Sequence, residues 1–431
     1  MGNYKKNSIT LGGAVGLGTG VMISAGIFAL LGQVAELSRQ WFPLIFIIGS
    51  IVTGFSAYSY MKMSQEFPSA GGIGMFLVKA YGKGTIATAA SLMMAISMII
   101  NQSLVARTFG TYTLQLFESK QPGFLIPLLG VGLIVFSFIV NISGNTFIQS
   151  FTSIASFVKI IGLSVLALSG LWIVDFALPS PQSGAVNQDA GTLNLIAAVS
   201  LTILAFKGFT TITNSGAEIT KPRKNIGLAI SISIIISLVI YLLLAWAVLS
   251  NLTIDEIIKA KDYALAEAAR PAFGGYGVWF TVILAIIATI TGIIASVFAV
   301  SRMLAMLSEM SLIPEANFGL KKSVQKNTLL LTVVLAIILT VTLDLTRIAS
   351  MGAILYLIMD MIVHFGMLKH LRHKVGANPI IVTIALILDG VILSAFILLK
   401  IKSDLFVVIV SGIIITLLFV VEKLYLIRKS K

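Results

Sequence analysis

Apolar residues along the chain gather into twelve runs of about 20 residues, the length at which a helix crosses a bilayer. The runs cover roughly 9–32, 42–65, 84–108, 123–141, 148–174, 192–216, 225–250, 276–308, 327–343, 346–369, 379–400 and 404–426. Charged residues concentrate in the connections, and no soluble domain separates the runs. Long connections include about 175–191 and 251–275. The second, NLTIDEIIKAKDYALAEAARPAFGG, spaces Leu, Ile and Ala as a helix does and predicts a short surface helix. The pattern predicts an all-α, polytopic membrane protein with 12 transmembrane helices.

Two runs are interrupted. In segment 1, LGTGVMISAGIFALLG (Leu17–Gly32) follows Gly16, and Gly18, Gly20 and Gly26 with Ser24 and Ala25 strip side chains from its middle. A membrane helix satisfies its own backbone, so glycines at mid-depth need a reason. A break near Ser24 leaves two half-helices. The second offers free N–H groups and a positive dipole end, and the first ends in free carbonyls. Those two ends suit the carboxylate and ammonium of one zwitterion. The same residues also suit a close-packed face against a neighbouring helix. Segment 6, LTILAFKGFTTITNSGAEITKP (Leu201–Pro222), is interrupted by Gly208 and Gly216, with a run of Thr and Ser after Lys207. Broken segments at matching places, five apart, point to a transporter site at the midplane.

Composition agrees with a membrane protein. Of 431 residues, 57% are hydrophobic and 11% charged. The net charge of +13 comes from 30 Lys and Arg against 17 Asp and Glu. Because the bases lie in connections, their partner is the anionic lipid surface rather than nucleic acid. With the N-terminus inside, one side gathers Lys5, Lys6, Lys62, Lys79, Lys83, Lys221, Arg223, Lys224, Arg302, Lys321, Lys322, Lys326, Lys369, Arg372, Lys374, Lys423, Arg428, Lys429 and Lys431. The bias predicts a multi-pass protein of the cell membrane with both termini cytoplasmic. There is no cleavable leader pattern and no cysteine, so disulfides carry no information. Neither HExxH nor a phosphate loop is present. The three histidines, His364, His370 and His373, do not suggest a metal site, and nothing implies a cofactor or an enzyme.

Several stretches resemble the amino acid–polyamine–organocation superfamily, its amino acid permeases above all. SAGIF (Ser24–Phe28) resembles that family's Gly-Ser-Gly-Ile-Phe, and FPSAGG (Phe67–Gly72) its loop after segment 2. AFKGFTTITNSGAEITKPRKNI (Ala205–Ile226), SRMLAMLSEMSLIP (Ser301–Pro314) and IASMGAILYLI (Ile348–Ile358) resemble segments 6, 8 and 10. The matches run in order through segments 1 to 10; segments 11 and 12 carry none. The resemblance implies a LeuT-type fold of two inverted five-helix repeats, 9–174 and 192–369, with two further helices over 379–426. It implies alternating access around a central site. The carboxylate of an amino acid substrate would meet the amides of Ala25, Gly26 and Ile27, with the Ser24 hydroxyl nearby. Its amine would meet carbonyls of Met22, Leu204 and Lys207, beside Gly208. Phe206 and Phe209 could close the pocket, or pack in the core or face lipid. The chain departs from the family in having Ser24-Ala25-Gly26 for Gly-Ser-Gly. It also has Thr210 where an acidic residue often follows Gly-Phe, which argues against a polycationic substrate.

Ionisable residues inside apolar segments cost energy unless paired or hydrated. Lys159 stands mid-way in segment 5. By the resemblance, its ammonium takes the place of a sodium ion near segments 1 and 8, either coupling transport to protons or bracing the helices as a fixed cation. Lys207 stands in the break of segment 6. It could bind a substrate carboxylate, face an aqueous vestibule, or pair with Asp360. Asp360 and His364 share a face of segment 10 and form either a proton relay or a solvated pair near the inner mouth. Asp389 in segment 11 suits packing or an oligomer contact as well as transport. Ser97 and Asn101 of segment 3 could reach the substrate side chain or bond between helices. The expectation is a secondary active amino acid transporter, proton-coupled and sodium-independent, with an exchanger or exporter as alternative and a channel or membrane enzyme as remote ones. The amino acid carried, the direction and the oligomeric state are not encoded legibly.

Overall fold

The computed structural model describes residues 8–69, 71–117, 122–143, 145–176, 190–313 and 324–429. Lys5, Lys6, Lys321, Lys322 and Lys431 of the charge bias, Ala70 and Pro314 of the motifs, and most of the 175–191 connection lie outside the described residues. The helices are α1 (Leu11–Met22), α2 (Ala25–Phe28), α3 (Leu31–Ser38), α4 (Phe42–Glu66), α5 (Gly72–Tyr81), α6 (Thr85–Leu114), α7 (Leu125–Ser143), α8 (Asn145–Ile173) and α9 (Thr192–Phe206). There follow α10 (Thr210–Asn214), α11 (Pro222–Asn251), α12 (Ile254–Lys259), α13 (Ala264–Glu309), α14 (Val324–Thr342), α15 (Leu345–Gly366), α16 (Pro379–Ser403) and α17 (Leu405–Lys429). Local chemistry sets several of their starts. The Thr10 hydroxyl accepts the amide of Gly13, and the Asp344 carboxylate accepts that of Arg347. Proline opens α4, α11 and α16, where its missing N–H costs nothing.

Among the described residues, eleven spans are long and apolar enough to cross a membrane. Where the ninth was expected stands a shorter apolar stretch, 326–342. Two connections differ from expectation. The stretch after FPSAGG is no plain loop but forms α5, entered through Gly72 at φ +43°, a backbone region that side chains disfavour. In the 251–275 connection the helical spacing divides: Thr253 and Glu256 form a reciprocal cap that starts α12, and residues from Ala264 onward run into α13 through a kink at Gly274.

The bundle packs α1 against α8, α11 and α13, and α9 against α3, α4, α15 and α16. The connections meet in two separate groups. On one side Ile9 pairs with the backbone of Glu218 and Thr220, and Arg302 of α13 forms a buried ion pair with Glu218 at 2.6 Å. On that side the Tyr81 hydroxyl of α5 also donates to Ile362. On the other side α3 docks onto the connection after α11. Gln33 donates to Asp262 at 2.9 Å, Lys261 pairs with Glu36 at 2.8 Å, and Arg39 with Asp255 at 3.3 Å. Arg347 and Asp404 pair there at 2.8 Å. With 326–342 counted as a crossing, each group joins only segment ends that alternation puts on one face.

Burial raises the Asp262 carboxyl above its ordinary range, opposed by the Lys261 charge and the Gln33 hydrogen bond. A carboxyl whose folded value is raised strengthens the docked state below its ordinary pKa and loses that contribution as pH rises through the folded value. Docking of α3 on residues 252–263 should therefore loosen as pH rises above the ordinary carboxylate range. Hydrogen exchange of 252–263, corrected for intrinsic rates, should show this dependence and lose it in Asp262→Asn.

Candidate functional site

The break predicted in segment 1 is real, and it faces the place where segment 6, predicted to break, tightens instead. α1 ends at Met22, Ile23 leaves helical geometry, and α2 restarts at Ala25. Segment 6 tightens into a 3-10 turn over Lys207–Phe209 before α10. A first helical turn leaves its amides without intrahelical partners, so Ala25, Gly26 and Ile27 present N–H groups here, while Phe28 N–H reaches Ser24 O at 3.3 Å. Gly208 lies against the end of α1: a Cβ there would come within 2.7 Å of Met22 N and 2.8 Å of its side chain. Only glycine permits this approach. Met22, Ser24, Gly26, Ile27, Leu204, Phe206, Lys207 and Gly208 are all buried, so the site is closed in this conformation.

The carbonyls freed by the breaks have partners that the sequence did not single out. The Tyr241 hydroxyl of α11 donates to Met22 O at 2.6 Å and lies 3.3 Å from Ala205 O. It thus holds the end of α1 to the end of α9, on the carbonyl the family resemblance assigns to the substrate amine. Tyr112 donates to Phe28 O at 3.1 Å and stacks edge-on against Phe28. The Ser24 hydroxyl turns back to Val21 O at 2.8 Å. A tyrosine within the apolar run SISIIISLVIYLLLAWAVL was the sole sequence signal for Tyr241.

Lys159 is fully buried. Its ammonium donates to Gly20 O at 2.8 Å and to the Thr291 hydroxyl of α13 at 3.1 Å. It therefore ties segments 1, 5 and 8 together at the break, the position expected of it, and both acceptors are neutral. Lys207 is buried too, which corrects the vestibule reading for this conformation. Its ammonium donates to the Ser97 carbonyl at 3.1 Å and hydroxyl at 3.0 Å and lies 5.5 Å over the Tyr356 ring. Asp360 is not its partner, because three other groups take that carboxylate. Ser97 also donates to Gly352 O at 3.3 Å, so it bonds between helices. Asn101, one turn on, is half-buried.

Phe206 packs against Tyr241 at 5.0 Å and Phe209 edge-on against Tyr60 at 5.3 Å. Neither faces lipid. Asp360 and His364 are not a solvated pair at the mouth: both are wholly buried, and Asp389 of α16 joins them. The i, i+4 spacing correctly put the first two on one face, but their depth depended on α4 and α16 covering that face.

Removing the Tyr241 hydroxyl exposes two buried carbonyls to an apolar ring. Tyr241→Phe should cost about 1 kcal/mol of stability, read as a lower thermal midpoint. Glu218→Gln should weaken the closure over the site, because it leaves the Arg302 charge without its carboxylate. As the chain has no cysteine, a Thr213→Cys reporter beneath that closure should label faster in the Glu218→Gln background.

A family model described as "Amino acid permease" matches residues 9–424. The inner membrane transport protein YbaT of Escherichia coli is 32% identical over 90% of this chain and 89% of its own length. An uncharacterized protein of Methanocaldococcus jannaschii is 29% identical over 92% of this chain and 89% of its own. The serine/threonine exchanger SteT of Bacillus subtilis is 26% identical over 64% of this chain and 62% of its own.

Proposed function

Since the chain belongs to the amino acid permease family and is a membrane transporter rather than an enzyme, we propose that it carries amino acids across the cell membrane by alternating access, coupled to protons and independent of sodium. The observation that carries this reading is the Lys159 ammonium seated on Gly20 O at the break of segment 1 and on Thr291 of α13. A cation built into the chain there supplies the charge that a bound metal ion would otherwise supply, and it brings no need for sodium. The substrate α-carboxylate meets the amides of Ala25, Gly26 and Ile27. Its ammonium takes Met22 O and the carbonyls of segment 6 when the Tyr241 hydroxyl gives way. Segments 1 and 6 move together because Tyr241 and the Gly208 contact join their breaks. They rock as part of two five-segment repeats, 9–174 and 192–369, with 379–426 outside them. The charge bias supports cytoplasmic termini.

Uptake into proteoliposomes tests the reading. In sodium-free buffer, an inward proton gradient should stimulate saturable uptake of one or more amino acids. Lys159→Ala should lose that stimulation by about tenfold or more. Stimulation by sodium with coupling intact in Lys159→Ala would overturn the ion assignment. Uptake that requires internal amino acid would make the protein an exchanger, the activity named for its Bacillus subtilis relative. A preference for acidic amino acids that is lost in Lys207→Ala would add Lys207 to the substrate site, once Ser97 releases it.

A further inference from the structure

A second polar cluster lies between α4, α15 and α16, apart from the central site. His364 stands at its centre. Its Nδ1 is 2.9 Å from the Ser59 hydroxyl, and its Nε2 is 3.3 Å from Asp389 Oδ2 and 3.6 Å from Asp360 Oδ2. The three titratable side chains have no exposed surface. The two carboxylates are provided for very differently. Asp360 accepts the Ser56 hydroxyl on one oxygen at 2.6 Å and the Tyr60 hydroxyl on the other. Asp389 has no hydroxyl donor on either oxygen and faces only His364 Nε2, at 3.3 Å.

A buried carboxylate that accepts two hydroxyls recovers more of its lost solvation than one whose polar neighbour is a single shared imidazole, so the second is the cheaper of the two to neutralise. The cluster carries a net charge of −1 when both carboxylates are ionised and the imidazole is protonated. Adding one proton to Asp389 makes it neutral. We propose that Asp360, His364 and Asp389 form a proton-binding site. An O–H bond forms on the Asp389 carboxylate and no other bond breaks. His364 stands between this group and Asp360, which the Ser56 and Tyr60 hydroxyls hold in place.

The site is connected to the broken segment 6. From α4, Tyr60 donates to Asp360 and packs edge-on against Phe209. From α15, Tyr356 lies one turn before Asp360, and its ring carries the Lys207 ammonium. Lys207, Tyr60 and Tyr356 are the other ionisable groups that bear on the cluster. A change of charge at Asp389 is therefore felt by the two aromatic rings against which segment 6 packs. This makes the cluster a coupling site separate from Lys159. Its role in transport rests on the transporter reading above, but proton binding does not. The same three side chains lie close enough to hold one divalent ion. A proton is the ligand favoured because the cluster is sealed and binding it requires neither space nor exchange of ligands.

Infrared difference spectra of the purified full-length chain across pH test the binding. A protonated-carboxyl band should appear and disappear with pH in the wild type and vanish in Asp389→Asn. In His364→Gln, which keeps Asp389, its midpoint should move by about one pH unit or more. Proton-gradient stimulation of uptake should fall about tenfold in Asp389→Asn and return in part in Asp389→Glu. Persistence of the band in Asp389→Asn overturns the proposal. So does a stoichiometric divalent metal in the purified chain that Asp389→Asn removes. Unchanged gradient stimulation in Asp389→Asn overturns the coupling role. If the wild type transports no amino acid while the band behaves as described, the transporter reading fails and the proton site stands.

Discussion

Inside a bilayer every backbone polar group needs a partner within the protein, and this chain breaks two helices where water cannot supply one. Interrupting α1 at Met22 and segment 6 at Phe206 frees carbonyls and amides at mid-depth. Much of the surrounding structure answers that need. Tyr241, Tyr112, Ser24 and Lys159 each come from a different place in the chain and each satisfies a carbonyl near the first break. The Tyr241 hydroxyl on Met22 O keeps the end of α1 satisfied within the protein.

The buried charges follow a division. The two lysines of the core, Lys159 and Lys207, rest on neutral oxygens. Three buried acids stand elsewhere, Asp360 and Asp389 with His364 and Glu218 with Arg302. An ion pair between Lys207 and Asp360 would have locked segment 6 to segment 10, since breaking a buried pair costs several kcal/mol. Hydroxyl and carbonyl partners are individually weaker and can be exchanged more cheaply. The closures at the two faces use true ion pairs, and the pair between Arg302 and Glu218 is fully buried. Charge pairs thus stand among the connections at the two faces, and neutral acceptors in the core.

Most of the architecture was legible because a membrane span is a local property. Length and apolarity of each run predicted the helices, and glycines at Gly16, Gly18, Gly20, Gly26 and Gly208 located the breaks. The position of Lys159 followed from the family resemblance, not from composition. What escaped was set by long-range packing. α5 hides in a stretch read as connection, because ten residues do not make a span. Tyr241 sits in an apolar run whose periodicity says nothing of where its hydroxyl points.

The sequence by itself determined the membrane class, eleven of the twelve expected spans and the family, since each depends on residues near one another in the chain. Only the tertiary structure decided which polar groups meet. Whether Asp360 and His364 are solvated or sealed depends on α4 and α16, and Asp389 joins them across an interface that no local pattern describes. Burial is a property of neighbours. A charge in a membrane helix announces a cost, but the partners that offset it come from elsewhere in the chain and appear only when the helices are packed.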